Sequence, residues 1–583
     1  MYLIPSMVIF SIFLFYPFFK TIYLSLYKTN KLGEAKLYVG LDNYKSLLSN
    51  PSFYNGLWVT LEFVAIVVVG SMALGLLGAV LCSKAFPGIR VFSTSYALPM
   101  AVASSSGAMI FKIILNPTIG IVNKLLHVSI NWVSDPKYAL ICVAVLTAWL
   151  NSGINFLYFS AGLGNIDDSI YERASVDGAN AVQKFFKLTL PGLSPIMFYT
   201  LVVNIIQAFQ SFGQVKILTQ GGPGESTNLI VYSIYRDAFF NYRILARANL
   251  RLTVRCFVSD CHGAYPGYVP RGKERSKILM STIATTIAGP KTYSAEELQA
   301  LHLAMNAKAK RKKMLQKTAL VTMNLIVCLF MLFPLLYTIS VAFMPSGELY
   351  TMAMNIVPKH PTLENFVEAF HKIPLVRFVL NSFLVAGSIT LGQIVTCSLA
   401  AFAFSFLDFK GKNILFMLVM ATMMVPGEAT IISNYLTVGS LGLLDTYIVL
   451  ILPSLTSAMG IFLFRQFYMT FPISLYESAK LDGCGNLRFI VKILMPLTKS
   501  AMGAMAVYTF INAWNMYMWP LLVTGSDSKR TVQIGISMLN SVDAQSITLM
   551  LAGVVMIIIP SISIFIVGQK ALIKGMFSGA VKG

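Results

Sequence analysis

The sequence predicts an all-α polytopic membrane protein. It has two parallel-repeated halves of about six transmembrane helices each, with a short helical elbow between spans four and five of each half. Three observations lead there. Of 583 residues, 56% are hydrophobic and 12% are charged, where soluble domains carry about 25% charged residues. Apolar runs long enough to cross a bilayer, about 20 residues each, recur along the whole chain. A polar segment of the first half returns 305 residues later, with seven of 21 positions identical.

The mean hydropathy of +0.69 excludes a soluble enzyme, because a soluble core of this size needs far more polar surface around it. The first apolar run lies near 2–27. No small-residue cleavage site follows it, so it is expected to be a membrane helix and not a removed signal. Further runs lie near 56–84, 90–115, 138–163 and 193–215, then near 317–343, 377–407, 413–435, 443–468, 498–524 and 546–573. Backbone groups in lipid must bond within their own segment, so each run is expected to be a helix. This divides the chain into a first half, 1–243, a polar stretch, 244–316, and a second half, 317–583.

The net charge is +21, from 45 Lys plus Arg against 24 Asp plus Glu. Residues 244–317 hold 14 basic and 4 acidic residues and include the run Lys308-Ala309-Lys310-Arg311-Lys312-Lys313. Basic residues just before a span mark the cytoplasmic side. No interleaving of aromatic and basic residues accompanies them, so nucleic acid is not an expected partner; the lipid bilayer is. Cys82, Cys142, Cys328 and Cys397 fall inside apolar runs and read as small core residues. Cys256, Cys261 and His262 lack further ligands at a fitting spacing, so no metal site is expected.

The repeated segment runs from Tyr171-Glu172-Arg173-Ala174-Ser175-Val176-Asp177-Gly178 to Pro191, and from Tyr476-Glu477-Ser478-Ala479-Lys480-Leu481-Asp482-Gly483 to Pro496. Ser169 with Glu172, and Ser474 with Glu477, have the spacing of a capping box, so a short helix should start there. Gly178 and Gly483 can take positive φ and end it. A second helix should then run to the proline, which marks re-entry to the membrane. Each copy is therefore a helix–turn–helix elbow lying on the membrane surface.

These residues resemble the EAA loop of ABC-importer permeases, whose pattern is E-A-A, then Gly three residues on, then an I-x-L-P ending. Arg173 and Ser478 depart at the second position. Asp before Gly, Gly221-Gly222-Pro223-Gly224 and Trp514-Asn515-Met516-Tyr517-Met518-Trp519-Pro520 resemble the carbohydrate-uptake branch, which serves sn-glycerol-3-phosphate or maltose-type sugars. Permeases of that branch are usually separate chains, so this one looks like a fused pair. The resemblance implies a multi-pass inner-membrane transport subunit and not an enzyme. Its partners would be two copies of a cytoplasmic ABC ATPase and an extracytoplasmic solute-binding protein. It also implies that Glu172, Ala174, Asp177, Gly178, Glu477, Ala479, Asp482 and Gly483 couple to the ATPase. No G-x-x-x-x-G-K-[ST] loop occurs, so ATP and Mg are expected in the partner and no cofactor in this chain.

The fifth spans carry unusual polarity. Asn204, Gln207, Ser211 and Gln214 recur at helical spacing and should share one face. The offset matches Gln207 to Asn512, Gln210 to Asn515 and Phe209 to Trp514. Asn151 and Asn155 add amides from the fourth span. Amides and aromatic rings suit a sugar or polyol in a pathway; buried amides equally join membrane helices. An ion-coupled secondary carrier is the weaker alternative, since few acids lie inside the spans.

The family pattern needs a sixth span soon after Arg243. Arg251, Arg255, Asp260 and His262 fall there instead, and each charge at mid-membrane costs about 2.5–3.5 kcal/mol on insertion scales. Two readings fit. A frame shift over about 247–310 would give a damaged, non-functional fusion. A true fusion would carry a poor sixth span held by its neighbours.

Overall fold

The computed structural model describes residues 1–30, 34–84, 86, 88–239, 295–349, 356–425, 427–542 and 547–577. The first half runs α1 (Ile4–Ser25), α2 (Pro51–Leu81), α3 (Ile89–Ala101), α4 (Ser104–Ile114), α5 (Pro136–Gly164), α6 (Asp168–Val176), α7 (Ala181–Gly192), α8 (Ser194–Phe209), α9 (Gly213–Leu218) and α10 (Ile230–Phe239). The second half begins with α11 (Lys317–Ala342), the apolar part of a helix described from Ala295. It continues with α12 (Leu375–Phe406), α13 (Lys412–Ala421), α14 (Gly427–Ser440), α15 (Tyr447–Ser454) and α16 (Ala458–Tyr468). It ends with α17 (Ile473–Leu481), α18 (Asn486–Leu497), α19 (Lys499–Trp514), α20 (Met518–Val523), α21 (Val532–Val542) and α22 (Ile547–Leu572).

Two long helices start as their sequences dictate. Asn50 accepts from the Ser52 N–H ahead of Pro51, and Asp135 accepts from the Lys137 N–H ahead of Pro136. Each pairs an N-cap oxygen with a proline whose missing N–H costs nothing in the first turn.

Among the described residues, six helices are long and apolar enough to cross a membrane, or up to ten spans if each bent pair counts as one. The bends correct several expectations of single straight spans. The run near 90–115 turns by 101° between α3 and α4, and that near 443–468 by 45° between α15 and α16. The run near 413–435 is two helices: α13 ends at Ala421 in a 3-10 turn, Thr422–Met424, and α14 begins at Gly427. Pro426 in the sequence explains that stop, since proline breaks the helical ladder. The sixth-span reading, with Cys256, Cys261 and His262, concerns residues outside those described, as does the frame-shift reading as far as residue 294.

The two halves exchange their first spans. α1 packs on α14 of the second half, with Thr21 Oγ1 2.6 Å from Ser433 Oγ. Asn434 donates to the Phe13 carbonyl at 2.9 Å, and Ser6 donates to the Thr396 carbonyl at 3.1 Å. The reverse exchange uses α11 and the first half. Asn324 donates to the Leu81 carbonyl at 3.2 Å, Tyr96 donates to Asn324 Oδ1 at 3.1 Å, and Trp149 donates to the Met331 carbonyl at 3.0 Å. Polar groups inside a bilayer need partners, so each bond fixes a register between apolar surfaces that would otherwise slide.

Close approach of α2 and α5 depends on one small residue. A Cβ at Gly75 would stand 2.6 Å from Asn155 Cβ, closer than any side chain tolerates. Small residues at such crossings let membrane helices touch backbone to backbone. The predicted core cysteines Cys142, Cys328 and Cys397 are buried, and Cys82 is half-buried at the end of α2.

Candidate functional site

Each copy of the repeated segment folds as a short helix, a turn and a second helix. α6 is followed by Gly178 at φ +78°, and α17 by Gly483 at φ +74°. Each glycine closes a Schellman motif. In the first, Gly178 N–H donates to Ser175 O at 3.3 Å and Ala179 N–H to Ala174 O at 2.9 Å; in the second, Gly483 N–H donates to Lys480 O at 3.0 Å and Cys484 N–H to Ala479 O at 2.9 Å. The two sets of bonds are equivalent under the 305-residue offset. Ala174 and Ala479 each receive the longer-range bond, and a left-handed glycine is what both motifs require.

The expected capping boxes at Ser169 and Ser474 do not form. α6 is capped two residues earlier, by Asp167, whose carboxylate accepts from the Ser169 N–H at 2.9 Å. That backbone bond holds the Asp167 carboxyl below its usual range. α17 follows Pro472 and has no side-chain cap. The capping box in the first elbow lies further on, where Asn180 and Gln183 exchange bonds at 2.9 and 2.8 Å and start α7. Tyrosines tie each elbow together: Tyr171 OH lies 3.0 Å from Thr189 Oγ1, and Tyr476 OH donates to Asn486 Oδ1 at 2.8 Å.

The chain then re-enters the bundle by a sharp bend. α7 meets α8 at 67°, and α18 meets α19 at 85°. The bends fall just after Gly192 and Leu497, one residue beyond the predicted Pro191 and Pro496.

Glu172, Asp177, Gly178, Glu477, Asp482 and Gly483 are all exposed, while Ala174 is half-buried and Ala479 buried. The second elbow rests on an aromatic bed: the Tyr476 ring lies 5.1 Å from Phe489 and 5.5 Å from Phe406. The first elbow helix buries none of its residues. Sequence reasoning missed the most exposed apolar side chains here. Val176 is 88% and Leu481 89% exposed, and they too are equivalent under the offset. That equivalence was the available signal.

The candidate pathway residues divide. Asn155 and Asn204 are buried and bond to each other twice, at 2.8 and 3.1 Å. Ser71 donates to Asn204 Oδ1 at 3.0 Å, and Asn204 donates to the Thr200 carbonyl at 2.7 Å. Their amides are consumed in joining α2, α5 and α8. The predicted common face of Asn204, Gln207, Ser211 and Gln214 is interrupted, because α8 stops at Phe209 and α9 starts at Gly213. Gln207, Gln210 and Asn151 are half-buried, and their side-chain amides bond to no other group among the described residues. Asn512 is exposed and donates to the Tyr508 carbonyl of its own helix. Trp514 is buried against Phe383 and Phe510. Trp514 Nε1 and Asn515 Oδ1 are buried without a partner.

The helix breaks bring the halves together. Phe212 (φ −111°, ψ −54°) and Tyr517 (φ −121°, ψ −55°) hold equivalent backbone conformations just after the breaks, again 305 residues apart. Their rings lie 6.3 Å apart at 30°, and both are buried. Gly213 permits the contact, since a Cβ there would stand 2.5 Å from Ser104 Oγ and 3.4 Å from Tyr517 Cδ1. Gln533 secures the second break. Its Nε2 donates to the Trp514 carbonyl at 3.2 Å, and its Oε1 accepts from Ser105 Oγ of the first half at 2.6 Å. A broken helix leaves carbonyls without partners, which is tolerated in a membrane only where protein groups satisfy them.

A sequence model of the family described as "binding-protein-dependent transport system inner membrane component" matches residues 1–246 and 393–576. The sn-glycerol-3-phosphate transport system permease protein UgpE of Rhizobium meliloti is 36% identical over 263 residues, covering 44% of this chain and 93% of the relative. The UgpE protein of Yersinia enterocolitica is 34% identical over 262 residues, with coverage of 44% and 93%. A crystal structure of a bacterial ABC transporter involved in import of the acidic polysaccharide alginate aligns at 20% identity and TM-score 0.39, covering 48% of this chain and 99% of that one.

Proposed function

The chain belongs to the family of binding-protein-dependent transport system inner membrane components, and on that premise we propose that it supplies both permease halves of one ATP-binding-cassette importer. It is a multi-pass inner-membrane protein and a transport component, not an enzyme. The halves are 1–243 and 317–583, joined by 244–316. The cargo is sn-glycerol-3-phosphate or a sugar, by likeness to the UgpE relatives. An extracytoplasmic binding protein delivers it, and two copies of a cytoplasmic ATPase, using ATP and Mg, drive the cycle. The observation that carries this reading is the pair of elbows. Each is closed by a Schellman glycine and presents an exposed acid (Glu172, Glu477) and an exposed aliphatic side chain (Val176, Leu481) at equivalent positions.

Phe212 and Tyr517 are suited to close the path between the halves, since they are buried, pseudo-equivalent and in ring contact. Each elbow continues through α7 or α18 into α8 or α19, which ends just before that contact. Movement of an elbow thus has a short helical route to the constriction. Gln207, Gln210 and Asn515 retain unused amide capacity for a hydroxylated cargo; Asn155 and Asn204 serve as a joint. Neither the ion-coupled reading nor the damaged-gene reading is favoured by a family match to both halves.

The test is ATP-driven uptake into proteoliposomes holding this chain, its ATPase and its binding protein, with labelled sn-glycerol-3-phosphate and labelled maltose as cargoes. Gly178→Pro and Gly483→Pro remove the left-handed turn and are expected to abolish uptake while leaving ATP hydrolysis running. Normal uptake in both variants would refute the elbow roles.

A further inference from the structure

Beside the second elbow lies a cavity of about 690 Å³. Ser405 comes from the end of α12, Asp408 and Gly411 from the turn that follows, Lys412 from the start of α13, and Arg465 from α16. Phe404 on its wall belongs to the same aromatic cluster as Tyr476 and Phe489, which seat the elbow.

The chemistry of this cavity is unbalanced. Arg465 lies 4.2 Å over the Phe416 ring, but its Nε is buried and has no hydrogen-bond partner. No carboxylate pairs with it among the described residues. Ser405 Oγ is likewise buried and unbonded. Lys412 Nζ lies 3.5 Å from Asp408, and because that carboxylate is fully exposed, solvent weakens the pair. No side chain caps α13, which follows Gly411 at φ +82°. A partly buried guanidinium without an anion is costly. A guanidinium, an ammonium and a hydroxyl converging on one space are the groups that hold a phosphate.

The surface beside the cavity identifies the source of that phosphate. Ile414, Met417 and Leu418 are exposed on α13. Their spacing of three and four places them on one helix face, an apolar strip that begins at the cavity wall. A soluble phosphate gains nothing from such a strip, whereas acyl chains cover it. Basic pockets between membrane helices are recognised sites for acidic lipid headgroups. We propose that this cavity holds the headgroup of an anionic phospholipid from the elbow-side leaflet, with its acyl chains along α13. Among the described residues, the first half does not repeat the pair formed by Arg465 and Lys412. Ser160 stands at the position equivalent to Arg465, and Ile89 follows Gly88 (φ +85°) where Lys412 follows Gly411.

The test reconstitutes the full chain in nanodiscs of phosphatidylcholine with a minor fraction of phosphatidylglycerol and counts retained lipid by native mass spectrometry. Wild type is expected to retain one phosphatidylglycerol. Arg465→Gln and Lys412→Gln should each lower its occupancy roughly five-fold, as expected for loss of one basic residue near a membrane surface. Arg465→Lys should restore most of the occupancy. Lys412 pairs only with an exposed partner, so its variant keeps the test valid if Arg465→Gln misfolds. Equal retention in wild type and a folded variant overturns the proposal. Displacement of the lipid by inorganic phosphate at matched concentration also overturns it, assigning the cavity to a soluble anion.

Discussion

Truncating Leu481 to alanine should weaken ATPase docking without weakening the fold. The side chain is 89% exposed on α17, which is held by the buried Tyr476 and Ala479. Removing an exposed methyl fork costs the folded state within about 0.5 kcal/mol. If a partner covers it, burial of a leucine side chain contributes about 1.5–3 kcal/mol. Taking about 2 kcal/mol as lost, the dissociation constant of the ATPase rises roughly 30-fold. Val176→Ala on the first elbow should act the same way and somewhat less, because valine is smaller. The assay titrates labelled ATPase against the purified permease in detergent, with thermal unfolding in parallel. An unchanged affinity for Leu481→Ala in a protein that melts like wild type refutes the docking argument, whatever happens to uptake.

Two further outcomes separate structural from functional polarity. Asn204→Leu strands the Asn155 amide, and such an orphan costs about 1–2 kcal/mol; the double variant Asn155→Leu/Asn204→Leu should recover part of that loss in thermal unfolding. A change in uptake KM without a change in stability would return these amides to the pathway. Asp445 accepts from the Gly525 and Ser526 N–H groups at 3.0 Å each, and the Ser526 hydroxyl and backbone, with help from Lys529, hold its carboxyl below its usual range. Its stabilising contribution is therefore complete above the ordinary carboxylate pKa of about 3.9 and is lost only as pH falls through the lower folded value. Hydrogen exchange at Gly525 and Ser526, taken relative to the intrinsic rate at each pH, should stay flat between neutral and mildly acid pH and rise at all pH in Asp445→Ala. A rise in wild type well above that pKa would contradict the assignment.

Composition, spans and repeat were legible because they depend on local chemistry. Lipid forces every apolar run into a helix, so α1, α2, α5, α12 and α22 follow from length and hydropathy alone. The Schellman turns were legible for the same reason: only glycine takes the left-handed step cheaply, and Gly178 and Gly483 sit at matched places. Helix starts were less legible, since Asp167 reaches the Ser169 N–H before Ser169 can cap anything itself. Several oxygens compete for one set of N–H groups, and spacing does not rank them.

The remaining features depended on partners distant in the chain. Asn155 and Asn204 are 49 residues apart, and only their meeting consumes both amides. Thr21 and Ser433 are 412 apart, so the exchange of first spans could not be read from either half. The break at 210–212 is stable because Gly213 lies against Ser104 and Phe212 against Tyr517, contacts that exist only once both halves have assembled. Nothing in the local sequence singles out Arg465, and only the folded cavity shows its guanidinium without an anion among the described residues. Sequence determines where a chain must be helical and where it can turn, because those costs are paid residue by residue. Which polar groups are satisfied inside the bundle is a property of pairs, and pairs are made by tertiary structure.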